Sequence, residues 1–437
     1  MNLDAVTLRE WETATPDHWP VLAGRRLARQ GPATRVAKAL SDSGRLEVLE
    51  LAQGLELRAT SWVGRVTLDG LTITIRPKIP DLPLLNLIRY AYGLRDLRLI
   101  GAARFATEPR SFQDLLIVQL VAEVSELLPR GLHRDYRRIG AMLESPRGRI
   151  DFVRYAASGS AHAALPCVHH PRSEDTPLNQ ALLAGLRLAA VATRDLELRA
   201  RLRRLSAQID LGVPPTDIDP VTLARVSQSI DRRTSHYRPA LTLIDLLLRG
   251  ESLSLADTAP GLCLDGFLFD MNAFFQALLS RFLREHLENV DLLDEYRLCG
   301  VFYYDPRHNP QGRRGPVPRP DFVVRRGQRT LAILDAKYRD LWTRSLPREM
   351  LYQLAIYALT QPHEASSAII LYPTLVAAAC DQVVAFRDVL GGTTKARVTL
   401  RPVHLQVLDE LLHVGSGVEA KRQRQALASR LIGIKCA

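Results

Sequence analysis

Arg319-Pro320-Asp321-Phe322-Val323-Val324 and Leu331-Ala332-Ile333-Leu334-Asp335-Ala336-Lys337 decide how this chain is read. Both runs are short and rich in β-branched or aliphatic residues. Arg325-Arg326-Gly327-Gln328-Arg329 between them is a polar turn, so the spacing predicts a hairpin. Side chains alternate along a strand, so Asp335 and Lys337 project from one face and Ala336 from the other. Pairing brings Asp321, at the start of the first strand, close to Asp335 on the second. Two carboxylates and an ammonium at a sheet edge make a poor core. They make a good site for Mg²⁺, which takes few protein carboxylates and keeps its waters. A lysine there can orient or deprotonate the water that attacks a phosphodiester. An isolated Asp-x-Lys also occurs as a plain surface ion pair, so its surroundings carry the weight.

Downstream, Pro347 to Thr360 reads as a helix with proline in its first turn. Gln353 and Tyr357, four apart, share one of its faces. Upstream, Asp305 to Pro320 is a Pro- and Arg-rich loop leading into Asp321, and Tyr296 to Tyr304 reads as a strand. Phe269 to Leu287 is a long amphipathic helix. Ala368 to Tyr372 reads as a buried strand and Val403 to Leu408 as another. Strands alternating with helices make this last third an α/β domain, residues 256–437.

The first third alternates instead. Leu46–Leu51 and Leu55–Ala59 have the period of half-buried strands. Val63–Leu68, Asp69-Gly70 and Leu71–Ile75 form a hairpin pattern, Asp-Gly supplying the positive φ of a tight turn. Gln30–Leu40 and Leu84–Tyr92 read as helices. This β-rich module, residues 1–105, holds no paired acids and no nucleophile–base pair, so its expected job is contact. Residues 106–255 read as α-helical, with helices near 112–128 (Ser111 as N-cap), 177–192, 196–209, 221–231 and 239–249, and a linker from Gly250 to Gly266. Between the first two of these helices, residues 130–154 carry Arg130, Arg134, Arg137, Arg138, Arg147, Arg149 and Arg154 with Tyr136 and Phe152 interleaved. Such a segment suits a phosphate backbone or an acidic partner, and equally a solvated loop.

A chain of 437 residues is too long for one ordinary core and implies two or three domains. Its net charge of +11 favours a polyanionic partner. The five cysteines are scattered and odd in number, as expected of reduced thiols in a cytoplasmic protein. Met1 to Pro20 lacks the apolar core of a signal peptide, and no apolar run is long enough to predict a membrane span. A G-x-x-x-x-G-K-[ST] loop is absent from the sequence, so no bound nucleotide is expected.

The order Pro-Asp, thirteen residues, Asp-Ala-Lys, then a helix with Gln-x-x-x-Tyr resembles the PD-(D/E)xK nuclease superfamily and its exonuclease-like branch. Five further stretches resemble the McrC family, the nuclease subunits of modified-cytosine-dependent restriction systems. They are Val63-Gly64, Ile75-Arg76-Pro77-Lys78-Ile79, Arg147-Gly148-Arg149-Ile150-Asp151-Phe152, Glu174-Asp175-Thr176-Pro177-Leu178-Asn179 and Phe269-Asp270-Met271-Asn272-Ala273-Phe274-Phe275-Gln276. The resemblance implies a multidomain α+β protein with a restriction-endonuclease-like C-terminal domain. It implies a Mg²⁺-dependent DNA endonuclease (Mn²⁺ able to substitute) that partners a hexameric AAA+ GTPase through its N-terminal and middle regions. It also implies metal ligation by Asp321, Asp335 and the Ala336 carbonyl, catalysis with Lys337, and support from Gln353 and Tyr357. Charge and proximity add Arg313, Arg314, Arg319, Arg325 and Arg326 as expected phosphate contacts. One position departs from the family: Gln276 stands where Glu is typical. Either Asp270 substitutes from two turns earlier, or Asp321 and Asp335 suffice, or the nuclease is weakened. A non-cleaving adaptor and a stand-alone repair nuclease are therefore the competing functions.

Overall fold

The alternation of the first third resolves into strands β1 (Asp4–Arg9), β2 (Leu46–Leu51), β3 (Gly54–Ala59), β4 (Trp62–Leu68) and β5 (Leu71–Arg76). Helices α1 (Pro32–Asp42) and α2 (Asp81–Tyr92) accompany them. This computed structural model describes residues 4–28, 31–79, 81–94, 112–158, 164–193, 195–251, 266–360, 367–387, 392–415 and 417–434. Ser111 and most of the Gly250–Gly266 segment lie outside the described residues. Asp69 and Gly70 both take positive φ, 49° and 74°, as the tight turn between β4 and β5 requires. β1 runs parallel to β5, and β3 pairs antiparallel with β2 and with the short strand Thr13–Ala14.

The chain folds into two units. One comprises Met1–Val63, Leu68–Asp96 and Asp270–Ala437, the other Gly64–Thr67 and Leu97–Phe269. Residues from the first and last thirds of the sequence thus share one unit.

In that unit, α3 (Met271–His286) precedes β6 (Asp291–Asp294), β7 (Phe322–Arg326), β8 (Arg329–Ala336), α4 (Arg348–Leu359), β9 (Ser367–Thr374), β10 (Gln382–Arg387), β11 (Thr394–His404), α5 (Leu405–His413) and α6 (Val418–Leu431). These six strands form one sheet in the order β6-β7-β8-β9-β11-β10. β8-β9 and β9-β11 are parallel and the other pairs antiparallel. Ala332 to Ala336 of β8 are all buried, as befits a strand covered on both faces. Val323, Ile333, Leu354, Tyr357, Ile370 and Val398 belong to the core cluster beneath α4. Two expected strands differ. Tyr296–Tyr304 has no regular structure, the edge strand being Asp291–Asp294, and Val403–Leu408 is the junction of β11 and α5.

The other unit holds the expected helices, Phe112–Leu127, Pro177–Ala192, Leu196–Asp210, Pro220–Gln228 and Arg238–Glu251. It also holds short strands that the sequence pattern does not predict, including Ile139–Leu143, Arg149–Ile150 and Leu165–His169, which form one sheet. Thr176 caps the helix at Pro177. The fully buried Asn179 donates to His133 O (2.8 Å) and Glu174 O (2.7 Å) and accepts from Tyr237 OH (2.7 Å). That gives the Glu174–Asn179 stretch a packing role. Arg134 and Arg137 of the basic segment are ion-paired with Glu174 and Asp175. A Cβ on Gly64 would meet Phe267 O at 2.1 Å, so this position admits only glycine.

Candidate active site

β7 and β8 pair with Phe322 opposite Leu334, so continuing the register by one residue sets Asp321 opposite Asp335. Asp335 shares its strand face with Ile333, two residues earlier, and therefore projects toward α4. It is only 1% exposed, in the middle of the sheet. Lys337 Nζ lies 2.8 Å from Asp335 Oδ2, and Lys337 N–H donates to Leu371 O (2.9 Å), extending the β8-β9 ladder past Ala336. Ala336 N–H donates to Asp321 Oδ2 (2.7 Å). Gln276 Nε2 donates to Asp321 Oδ1 (3.2 Å). Asp321, Asp335, Ala336, Lys337 and Gln276 thus meet at the C-terminal end of β8.

Burial, then repulsion from Asp335, pushes Asp321 up to about 6. Burial likewise raises Asp335, against the pull of Lys337. The pair carries more negative charge than its surroundings neutralise. Burial alone would lower Lys337, but the two carboxylates outweigh it and raise its pKa, so at neutral pH it is an ammonium. Among the described residues no group of three or more His, Cys, Asp or Glu side chains is disposed to hold a metal. Two hard carboxylates with an amide beside them fit a cation that keeps most of its waters, the habit of Mg²⁺.

On α4, Gln353 Nε2 donates to Tyr357 OH (2.7 Å). Burial raises the Tyr357 pKa, and the fields of Asp335, Lys337 and Asp321 reach it, which places this helix face beside the acids. Asp270 does not join them. Its carboxylate caps α3, accepting from Asn272 N (2.8 Å) and Ala273 N (3.3 Å). Of the five arginines expected at phosphate, Arg319 is tied to Glu295 through its backbone O (3.0 Å) and its carboxylate. Arg313 and Asn309 clip the exposed loop together, and Arg314 is exposed beside them. Arg325 and Arg326 lie at the turn end of β7, opposite to Asp321.

Sequence reasoning missed a second cluster directly after Lys337. Tyr338 is buried, its OH 3.2 Å from Glu10 Oε1 and its ring 6.0 Å edge-on from Phe275, the neighbour of Gln276. Lys78 Nζ sits 4.2 Å above the same ring. The Ile75–Ile79 stretch is the one signal for it, since its lysine ends in this cluster. Cys167, Cys299 and Cys380 are free thiols. No helix among the described residues is long and apolar enough to cross a membrane.

A solved half-complex from the tetradecameric assembly of Thermococcus gammatolerans McrB AAA+ hexamers with bound McrC contains a chain of similar fold. Its TM-score is 0.62 at 20% identity, over 98% of this chain and 100% of that one. A second structure, of the Thermococcus gammatolerans McrBC complex, aligns with a TM-score of 0.44 at 20% identity, over 64% of this chain and 88% of that one. A search of the curated proteins found no match. The family described as McrBC 5-methylcytosine restriction system component matches residues 57–373, well over half of the chain. With the McrC-like order of its motifs running through that span, the chain belongs to the McrBC family of restriction components.

Proposed function

We propose that this chain is the DNA-cutting subunit of a modification-dependent restriction complex, its C-terminal sheet being a PD-(D/E)xK nuclease core. The observation that carries the reading is the meeting of Asp321, Asp335, Lys337 and Gln276 at one strand end. Asp321 and Asp335 would hold Mg²⁺, or Mn²⁺ in its place, with the Ala336 carbonyl as the third expected ligand. When bound, the cation supplies Lewis acidity at the phosphodiester and a water of lowered pKa. Ala336 N–H and the Gln276 amide fix the Asp321 carboxylate, so both of its oxygens are oriented before any ligand arrives. Lys337, held as an ammonium by Asp335, serves to position the nucleophile and offset phosphate charge rather than to remove a proton. Gln353 and Tyr357 brace the α4 face beside it.

The partner of this reading is a hexameric AAA+ GTPase of the McrB kind, contacted through the N-terminal and middle regions. The half-complex of similar fold, in which McrB hexamers carry bound McrC, supports it. This chain lacks a P-loop, so GTP turnover belongs to that partner. The test is plasmid cleavage with Mg²⁺, GTP and the partner GTPase. Asp335→Ala and Lys337→Ala each abolish cutting and leave stimulation of the GTPase intact. Cutting that survives both changes refutes the site.

Gln276 favours a second reading, a non-cleaving adaptor that activates the GTPase. An amide binds a hard cation more weakly than the carboxylate typical of the family. Wild-type protein that stimulates the GTPase and never nicks DNA, in Mg²⁺ or Mn²⁺, would decide for the adaptor.

A further inference from the structure

The loop that follows β8 carries two arginines that no acid among the described residues neutralises. Arg339 is half-buried and its Nε has no hydrogen-bond partner; Arg344 is exposed. Neither makes an ion pair among the described residues. Arg344 donates to the backbone O of Trp11 (3.2 Å), and the Arg339 guanidinium lies 5.6 Å from the centre of the Trp11 ring. Both arginines therefore converge on one tryptophan.

The loop is rigidly placed. Asp340 accepts from Trp342 N (3.0 Å), Thr343 N (3.4 Å) and Thr374 Oγ1 (3.0 Å), pinning the loop to the end of β9. Arg339 N–H donates to Lys337 O (2.7 Å), fixing its distance from the active-site lysine. Trp11 has a φ of +64°, a strained conformation for a bulky residue, and its N–H donates to Thr60 O (3.3 Å). Strain of this kind persists only where the surroundings enforce it.

The charges are arranged against their own repulsion. Burial and then Arg344 lower the pKa of Arg339. Lys78 is lowered by burial, and Arg344 opposes its charge further while Glu10 and Asp340 support it. Glu10, the other acid at this cluster, is pushed up to about 7 by burial and is only partly ionised near neutrality. Asp340 is occupied by its three donors. Three cations thus face two acids, one of them weakened, beside the catalytic strand end. Such a set gains from an anionic ligand.

We propose that Arg339 and Arg344, ordered by Trp11, clamp a backbone phosphate of the DNA strand next to the scissile position. The proposal rests on the nuclease reading above and names a subsite of that same centre. A guanidinium fork matches phosphate oxygens, and the cation–π contact holds the fork in place before DNA arrives.

The test measures binding, not cutting. Full-length chain titrates a fluorescein-labelled DNA duplex in EDTA, followed by anisotropy over a range of salt. Arg339→Gln/Arg344→Gln weakens binding and lowers the slope of log affinity against log salt by about 0.9 for each phosphate no longer neutralised. Arg339→Lys/Arg344→Lys keeps the charge and most of the slope. Melting temperatures equal to the parent show that the variants are folded. Unchanged affinity and slope in the Gln variant overturn the clamp, as does a parent that binds no DNA. So does a Gln variant that loses only the GTPase partner, which would assign the pair to an acidic protein surface. Cutting by the parent with the partner GTPase separates the two readings. A parent that binds DNA through this pair and never cuts keeps the clamp and refutes the nuclease alone.

Discussion

At the scale of single residues, the burial of Asp321 couples stability to pH. The folded pKa of Asp321, about 6, lies above the ordinary value of 3.8. Between these limits the native state holds a proton that the unfolded state has lost. The contribution to stability is therefore full below about pH 4 and is lost as pH rises through 6. The gap is worth about 1–2 kcal/mol once its partial exposure is allowed for. In EDTA, Asp321→Asn melts higher than the parent above pH 7, and the difference closes toward pH 4. Identical melting curves across that range would remove the burial cost and the repulsion from the account. If the pair holds the proposed cation, its charge offsets both, so Mg²⁺ raises the parent's melting temperature and does little for Asp335→Asn. Gln276→Glu sharpens the test, because it adds a third carboxylate beside Asp321. It lowers the melting temperature in EDTA and enlarges the rise that Mg²⁺ produces. A variant that melts and responds like the parent would place residue 276 away from the cation.

At the scale of elements, the hairpin and the helix after it are legible in the sequence because local chemistry specifies them. β7 and β8 are separated by a Gly327 turn, β8 holds the apolar run Leu331–Leu334, and α4 begins after Pro347. The Asp321–Asp335 register follows from the turn. Strand-favouring composition misleads where the strand it suggests finds no partner. Tyr296 to Tyr304 is rich in aromatic and aliphatic residues. Glu295, at a φ of +49°, turns the chain out of the edge strand, and Leu298 N–H pairs with Pro318 O instead. The short strands near residues 139–169 show no regular alternation of burial, and pairing rather than period defines them. The α4 contribution can be isolated. Tyr357 is buried in the core with its OH held by Gln353, so Tyr357→Phe keeps the packing and removes one hydrogen bond. Stability falls by about 1 kcal/mol while cleavage falls markedly, because Gln353 loses its anchor beside the acids. Parent-like cleavage by Tyr357→Phe in the presence of the GTPase would reduce the pair to packing.

At the scale of the whole molecule, sequence reading reaches the ingredients and not the weave. Residues 1–105 and 256–437 read as separate domains, yet strands and helices from both lie in one unit. No local pattern announces this, since the joining interactions link residues hundreds of positions apart. Tyr90 OH donates to Glu285 (2.6 Å), and Arg281 donates back to Tyr90 O (2.6 Å) with its guanidinium 4.8 Å from that ring. Tyr338 reaches Glu10 in the same way. Removing the first third would strip α3 of α2 and leave the phenol of Tyr338, the residue after Lys337, without its carboxylate partner. A buried polar group so orphaned costs about 1–3 kcal/mol, and the uncovered apolar face of α3 adds about 25 cal/mol for each Å² exposed. Those losses rival the whole stability of an ordinary domain. A fragment of residues 256–437 is therefore expected to lack a cooperative urea transition and to bind no Mg²⁺. Adding residues 1–105 as a separate chain should restore both. A fragment that unfolds cooperatively at the same urea midpoint as the full chain would show that the C-terminal sheet stands alone and that the N-terminal strands merely rest against it.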